Sequence, residues 1–160
     1  MRPVDAMIEE YGESHQNPTN KKIHWVCVPA IFFSTVGLFW SIPQGPLAGL
    51  LPDPFAPYLN WATLILLFTT NWYLRMSVSL ALGMLAYSLA MIALCLWVIS
   101  ATTLPLWQTS LIIFFVAWVG QFIGHKIEGK KPSFFKDLQF LLVGPMWLLH
   151  FVYKRIGIAY

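Results

Sequence analysis

The chain has 160 residues, of which 58% are hydrophobic and only 11% charged, with a net charge of +3. A soluble domain carries about 25% charged residues, so the composition excludes an ordinary soluble fold. The small basic excess is scattered at the edges of apolar runs, which fits membrane topology and anionic headgroups rather than nucleic acid. Mean hydropathy of +0.63 and the eight tryptophans and twelve phenylalanines read as a single integral membrane domain over residues 1–160.

In chain order, residues 3–16 place Val4, Met7, Ile8 and Tyr11 at helical spacing, the pattern of an amphipathic helix lying on a membrane surface. The stretch is polar and partly acidic with no continuous apolar segment, so no cleavable signal is expected there. Five apolar runs follow, at residues 25–42, 58–74, 78–101, 106–124 and 138–153. Crossing a bilayer takes about 20 residues, within a range of about 17–25. The third and fourth runs qualify comfortably and the first two lie near the lower limit. The fifth is short and interrupted at Gly144-Pro145.

The link over residues 41–58 is dense in proline and glycine, which rules out a continuous helix. It carries no lysine or arginine, and neither does the short link around residues 100–105. Basic residues fall elsewhere, at Lys21 and Lys22, at Arg75, at Lys126, Lys130, Lys131 and Lys136, and at Lys154 and Arg155. The positive-inside rule then places the N-terminus in the cytoplasm, lets runs one to four cross, and turns both uncharged links outward. The last run becomes a re-entrant or interfacial segment. The expected fold class is therefore all-α, a polytopic bundle of about four transmembrane helices with an N-terminal amphipathic helix. None of the four spans contains Asp, Glu, Lys or Arg, which leaves no charged transport path. Cys27 and Cys95 each sit inside an apolar run, away from any CxxC spacing, and read as small apolar residues.

Chemistry concentrates in two polar stretches. In "ESHQNPTNKKIHW" (residues 13–25), Pro18 disfavours helix at Asn17, so the surface helix should stop there. Thr19 or Asn20 can cap the next helix. That turn would let His15 and His24, one on each helix, face each other, with Asn17, Asn20 and Glu13 available to orient their second ring nitrogens. Interfacial polar residues plus a helix cap explain the same pattern without a ligand. In "GQFIGHKIEGKKP" (residues 120–132), Gln121 and His125 share a helix face and Glu128 follows one turn on. Gly124 admits a close neighbour. A helix C-terminus whose histidine complements the dipole is the competing explanation. His150, between Trp147 and Phe151, reads as a packing histidine. The lysines over residues 126–136 read as a topology signal, with steering of an anionic substrate as the alternative. There is no GxSxG, P-loop, HExxH or glycine-rich dinucleotide turn, and none of the dense histidine boxes of membrane desaturases.

Taken together, "YGESHQNPTNKKIHWVCVP" and "QFIGHKIEGKKPSFFKDLQFLLVGP" resemble the two signature blocks of a family of small membrane proteins. That family includes the fungal endoplasmic-reticulum 2-hydroxy fatty acid dioxygenase. Its pattern falls here on Tyr11, His15, Asn17, Pro18, Asn20, Ile23, His24 and Pro29, then on Gln121, Phe122, Gly124, His125, Glu128 and Pro132. His150 matches no position of it.

The resemblance implies an Fe(II)-dependent dioxygenase of fatty acid α-oxidation. It would convert a long-chain 2-hydroxy fatty acid and O2 to the one-carbon-shorter acid and CO2, in contact with membrane lipid. His15, His24 and His125 would hold the iron, with Glu128 as a further candidate ligand and Asn17, Asn20 and Gln121 behind them. The compact form and the "HKIEGKKP" variant point to a bacterial inner membrane rather than endoplasmic reticulum, with the metal site near the cytoplasmic face. A zinc hydrolase, a haem-binding module and a non-catalytic scaffold remain as alternatives. Chain-length preference and oligomeric state are not legible.

Overall fold

A computed structural model describes residues 2–129 and 140–160. Among these residues the protein is all-α, with no strand: α1 (Pro3–Glu13), α2 (Pro18–Trp40), α3 (Trp61–Leu74), α4 (Val78–Ala101), α5 (Leu106–Glu128) and α6 (Val143–Ile156). Lys130, Lys131, Pro132 and Lys136 lie outside the described residues.

Local chemistry sets each helix start. Pro3 stands in the first turn of α1, where its missing N–H costs nothing. Asn17 caps α2, its side-chain oxygen accepting from the backbone N–H of Thr19 at 2.8 Å and of Asn20 at 3.4 Å. The cap therefore falls before Thr19 and Asn20, the two residues expected to supply it. The reason is Pro18, whose fixed φ suits the first helical position and pushes Asn17 into extended backbone. Asn60 and Ser77 cap α3 and α4 in the same way. At the other end of α5, Gly129 takes the left-handed conformation, with φ of 75°, and closes the helix.

Helices α2, α4 and α5 are each long and apolar enough to cross a membrane. Helix α3 has 14 residues, about 21 Å, which is less than the run of 17 expected for it. It joins two apolar clusters of the bundle. Ala62 and Leu66 pack with Val36 and Val98 at one end, and Tyr73 packs with Leu80 and Met146 at the other. The Trp61 indole N–H donates to the Pro43 carbonyl at 3.0 Å, tying the start of α3 to the end of α2.

Helices α2 and α5 run antiparallel and form the most extensively packed pair. Small residues bring them together: a Cβ on Gly120 would lie 2.6 Å from the Cys27 sulfur. Helix α6 is one uninterrupted helix rather than a hairpin, because Gly144-Pro145 falls in its first turn, where proline is tolerated. The Tyr73 hydroxyl donates to the Leu142 carbonyl and the Tyr153 hydroxyl to the Ser79 carbonyl, each at 2.7 Å. The first contact involves the last turn of α3 and the second the first turn of α4, so α6 lies across that end of the bundle. The apolar face of α1 packs on it, with Val4, Ile8 and Tyr11 buried beside Met146 and Trp147. The face expected to meet lipid is instead covered by protein.

Candidate metal centre

Three histidines distant in sequence meet where the start of α2, the end of α5 and the α1–α2 turn converge. His15, His24 and His125 are 2%, 0% and 4% exposed. Their rings touch pairwise, with centroids 4.2 Å apart for His15–His24, 5.3 Å for His15–His125 and 5.0 Å for His24–His125. One ligand nitrogen from each lies within 4.8 Å of the others. The sequence expectation put His15 on a helix. It occupies the turn after α1, with its backbone N–H donating to the Gly12 carbonyl at 3.0 Å.

Two of the rings are oriented by the backbone. His15 Nδ1 lies 2.6 Å from the Tyr11 carbonyl, and His24 Nδ1 lies 3.0 Å from the Asn20 carbonyl. A carbonyl only accepts, so Nδ1 carries the proton in both rings and Nε2 carries the lone pair. This is how proteins usually fix the tautomer of a metal-binding imidazole. Tyr11 also stacks on His15, with ring centroids 4.2 Å apart at 13°. Sequence analysis counted Tyr11 in the first signature block but assigned it no role in the site. The four-residue spacing from Tyr11 to His15, repeated from Asn20 to His24, was the available signal.

Glu128 does not join the trio. Its carboxylate accepts from the backbone N–H of Gln16 at 2.9 Å, from the backbone N–H of Asn17 at 2.9 Å, and from the Asn20 side-chain amide at 3.0 Å. The same amide donates to the Ser14 carbonyl at 3.1 Å. The end of α5 thus grips the turn that carries His15. Asn17 acts as cap and donor and Asn20 as both brace and backbone acceptor. Gln121 is buried one turn before His125 and lines a cavity of about 10 Å³, room for one water, with Tyr11 and Leu141.

His150 also lies apart from the trio. Its Nδ1 contacts the Tyr160 hydroxyl, in a groove shared with Arg2 and Lys154. Burial, then the nearby Lys154 charge, hold its imidazole below the usual range.

The trio leaves no slack around it. A Cβ on Gly124 would overlap the Asn20 side-chain oxygen and sit 3.3 Å from His24 Cε1. We expect Gly124→Ala to lower stability by about 1–3 kcal/mol, the usual effect of overpacking, and to weaken metal binding by displacing His24. Thermal melting and metal titration of the purified variant check both.

The donor set fits a first-row transition metal. Neutral imidazoles suit iron, zinc and copper, and the metal–nitrogen bonds of such sites run about 2.0–2.1 Å. At tetrahedral or octahedral angles such bonds set ligand nitrogens about 3.0–3.4 Å apart, so the three rings, whose nitrogens lie within 4.8 Å of one another, would close inward to hold an ion. The family model described as 2-hydroxy-palmitic acid dioxygenase Mpo1-like matches residues 1–156. No curated protein and no solved structure matches the chain.

Proposed function

The chain belongs to the Mpo1-like family, and on that basis we propose that it is a membrane-bound, Fe(II)-dependent dioxygenase that shortens 2-hydroxy fatty acids by one carbon. The observation that carries the reading is the convergence of three buried imidazoles from two blocks about a hundred residues apart. The reaction balances without a second organic substrate: R–CH(OH)–COOH and O2 give R–COOH, CO2 and water. Carbon 1 gives up one electron and carbon 2 gives up three, which together reduce O2 fully. Bound iron would supply O2 activation and a point of chelation for the carboxylate and 2-hydroxyl.

The chain's own residues supply the rest. Carbonyls of Tyr11 and Asn20 hold two imidazoles with Nε2 turned to the common centre. Gln121, one turn before His125 and in the wall of a small cavity shared with Tyr11, would offer a buried amide to a substrate oxygen. Lys21, Lys22 and Lys126 ring the same end and would draw the substrate carboxylate toward it. Burial keeps bulk water from the reacting carbons. We place the site near the cytoplasmic face of a bacterial inner membrane, following the distribution of basic residues.

A haem module is disfavoured by the trio itself, since rings in contact leave no gap for a macrocycle between any two of them. The test uses purified protein loaded with Fe(II) or with zinc, given 2-hydroxypalmitate under air. We expect one O2 consumed and one CO2 released per shortened acid, with the iron form only. Retained zinc, a hydrolytic product and no O2 uptake would replace this reading with a hydrolase.

A further inference from the structure

A long alkyl substrate needs a place for its tail, and the bundle contains one. A cavity of about 100 Å³ lies between α2 and α3, walled by Phe32, Val36, Phe39, Ala62, Leu66 and Leu141. It presents no polar surface. The two threonines in its wall turn their hydroxyls onto their own helices, Thr35 to the Ile31 carbonyl at 2.8 Å and Thr69 to the Leu66 carbonyl at 3.0 Å. For scale, an engineered apolar cavity of about 150 Å³ takes up benzene.

Position relates this cavity to the histidines. Leu141 stands in its wall and also in the wall of the one-water cavity beside Tyr11 and Gln121. Along α2, Phe32 is eight residues and Phe39 fifteen residues beyond His24. At about 1.5 Å per residue these lie about 12 Å and 22 Å from the metal end. An extended palmitoyl chain with its carboxylate at the trio ends between those depths. Ile65, at the rim, is exposed, which opens the cavity sideways to the lipid from which such a substrate would come.

We propose that this cavity is the tail slot for the distal alkyl chain of the substrate, that Leu141 separates it from the reacting end, and that Ala62 and Leu66 set chain length. The proposal rests on the dioxygenase reading for its substrate class, and its first test does not require turnover. Iron-loaded, full-length protein is kept anaerobic with a 2-hydroxypalmitate analogue carrying a photoreactive diazirine at its methyl end, and adducts are mapped by mass spectrometry. Labelling within residues 32–39 and 62–66, displaced by unlabelled 2-hydroxypalmitate, is expected. Labelling confined to outward-facing residues such as Leu82 and Val116, or not displaced, overturns the slot.

In the second arm, Ala62→Phe should lower kcat/KM for 2-hydroxypalmitate about 15–60-fold, through two or three methylenes denied burial. It should leave a ten-carbon 2-hydroxy acid unaffected. Leu66→Ala should move the preference toward longer chains. Equal losses at every length in both variants also overturn it. Displaceable slot labelling without O2 consumption in air would keep the slot and remove the dioxygenase reading. Turnover without slot labelling would do the reverse.

Discussion

Replacing His24 with alanine is expected to abolish metal retention and to reduce O2 uptake with 2-hydroxypalmitate by more than about 100-fold. His24 is fully buried and its ring touches both other imidazoles, so its removal takes away one of the three converging ring nitrogens. Loss of a group that merely orients a ligand typically costs about 10–100-fold in metal affinity or activity, and loss of a ligand should exceed that. His15→Ala and His125→Ala should behave alike. His150→Ala is the control: its ring faces the Tyr160 groove, and metal content should be unchanged. Metal analysis of the purified proteins, with thermal melting to confirm folding, reads the result. Full activity in a variant lacking His15, His24 and His125 together would refute the assignment.

Glu128→Ala should weaken metal binding about 10–100-fold while leaving the ligand set intact. Three donors converge on this carboxylate, two from the backbone of the turn and one from Asn20. Hydrogen bonds to a charged group are worth about 1.5–3 kcal/mol each when well formed. Glu128 is only half-buried, so solvent recovers part of that, and we expect a net loss of about 2 kcal/mol. Glu128→Gln should fall between, since it keeps one acceptor oxygen but turns an amide donor toward other donors. X-ray absorption separates the two roles open to Glu128. As a brace, its removal leaves the number of nitrogen ligands and the first coordination distances unchanged; as a ligand, its removal takes an oxygen from the shell.

The helices and their order could be read from hydropathy, because lipid imposes apolar runs of a minimum length. The ends could not. Helix α2 starts seven residues before its apolar run and α5 continues one turn past its own, since capping by Asn17 and termination at Gly129 are set by backbone geometry rather than hydropathy. Those extra turns are what bring His24 and His125 into the bundle. The three histidines were identifiable from their two blocks, and the structure places them together. The part of Glu128 was not identifiable, because a carboxylate one turn from a histidine on a helix is equally suited to a metal and to backbone amides. Only the turn arriving from 112 residues away decides between them. The lipid-facing reading of α1 failed for a related reason: an amphipathic stripe specifies an apolar partner without specifying whether that partner is lipid or α6.

That same long reach has a consequence for biosynthesis. As the chain emerges, α1 and α2 are made first, and His15 and His24 then form a pair with neither the third imidazole nor the carboxylate that holds their turn. Two imidazoles on an unbraced turn are a poor trap for a metal ion. The centre is complete only when α5 has inserted antiparallel to α2 and Glu128 has found Gln16, Asn17 and Asn20. On the proposed reading, metal acquisition would follow membrane integration, and a chain stalled partway through insertion would lack the third imidazole needed to hold the ion.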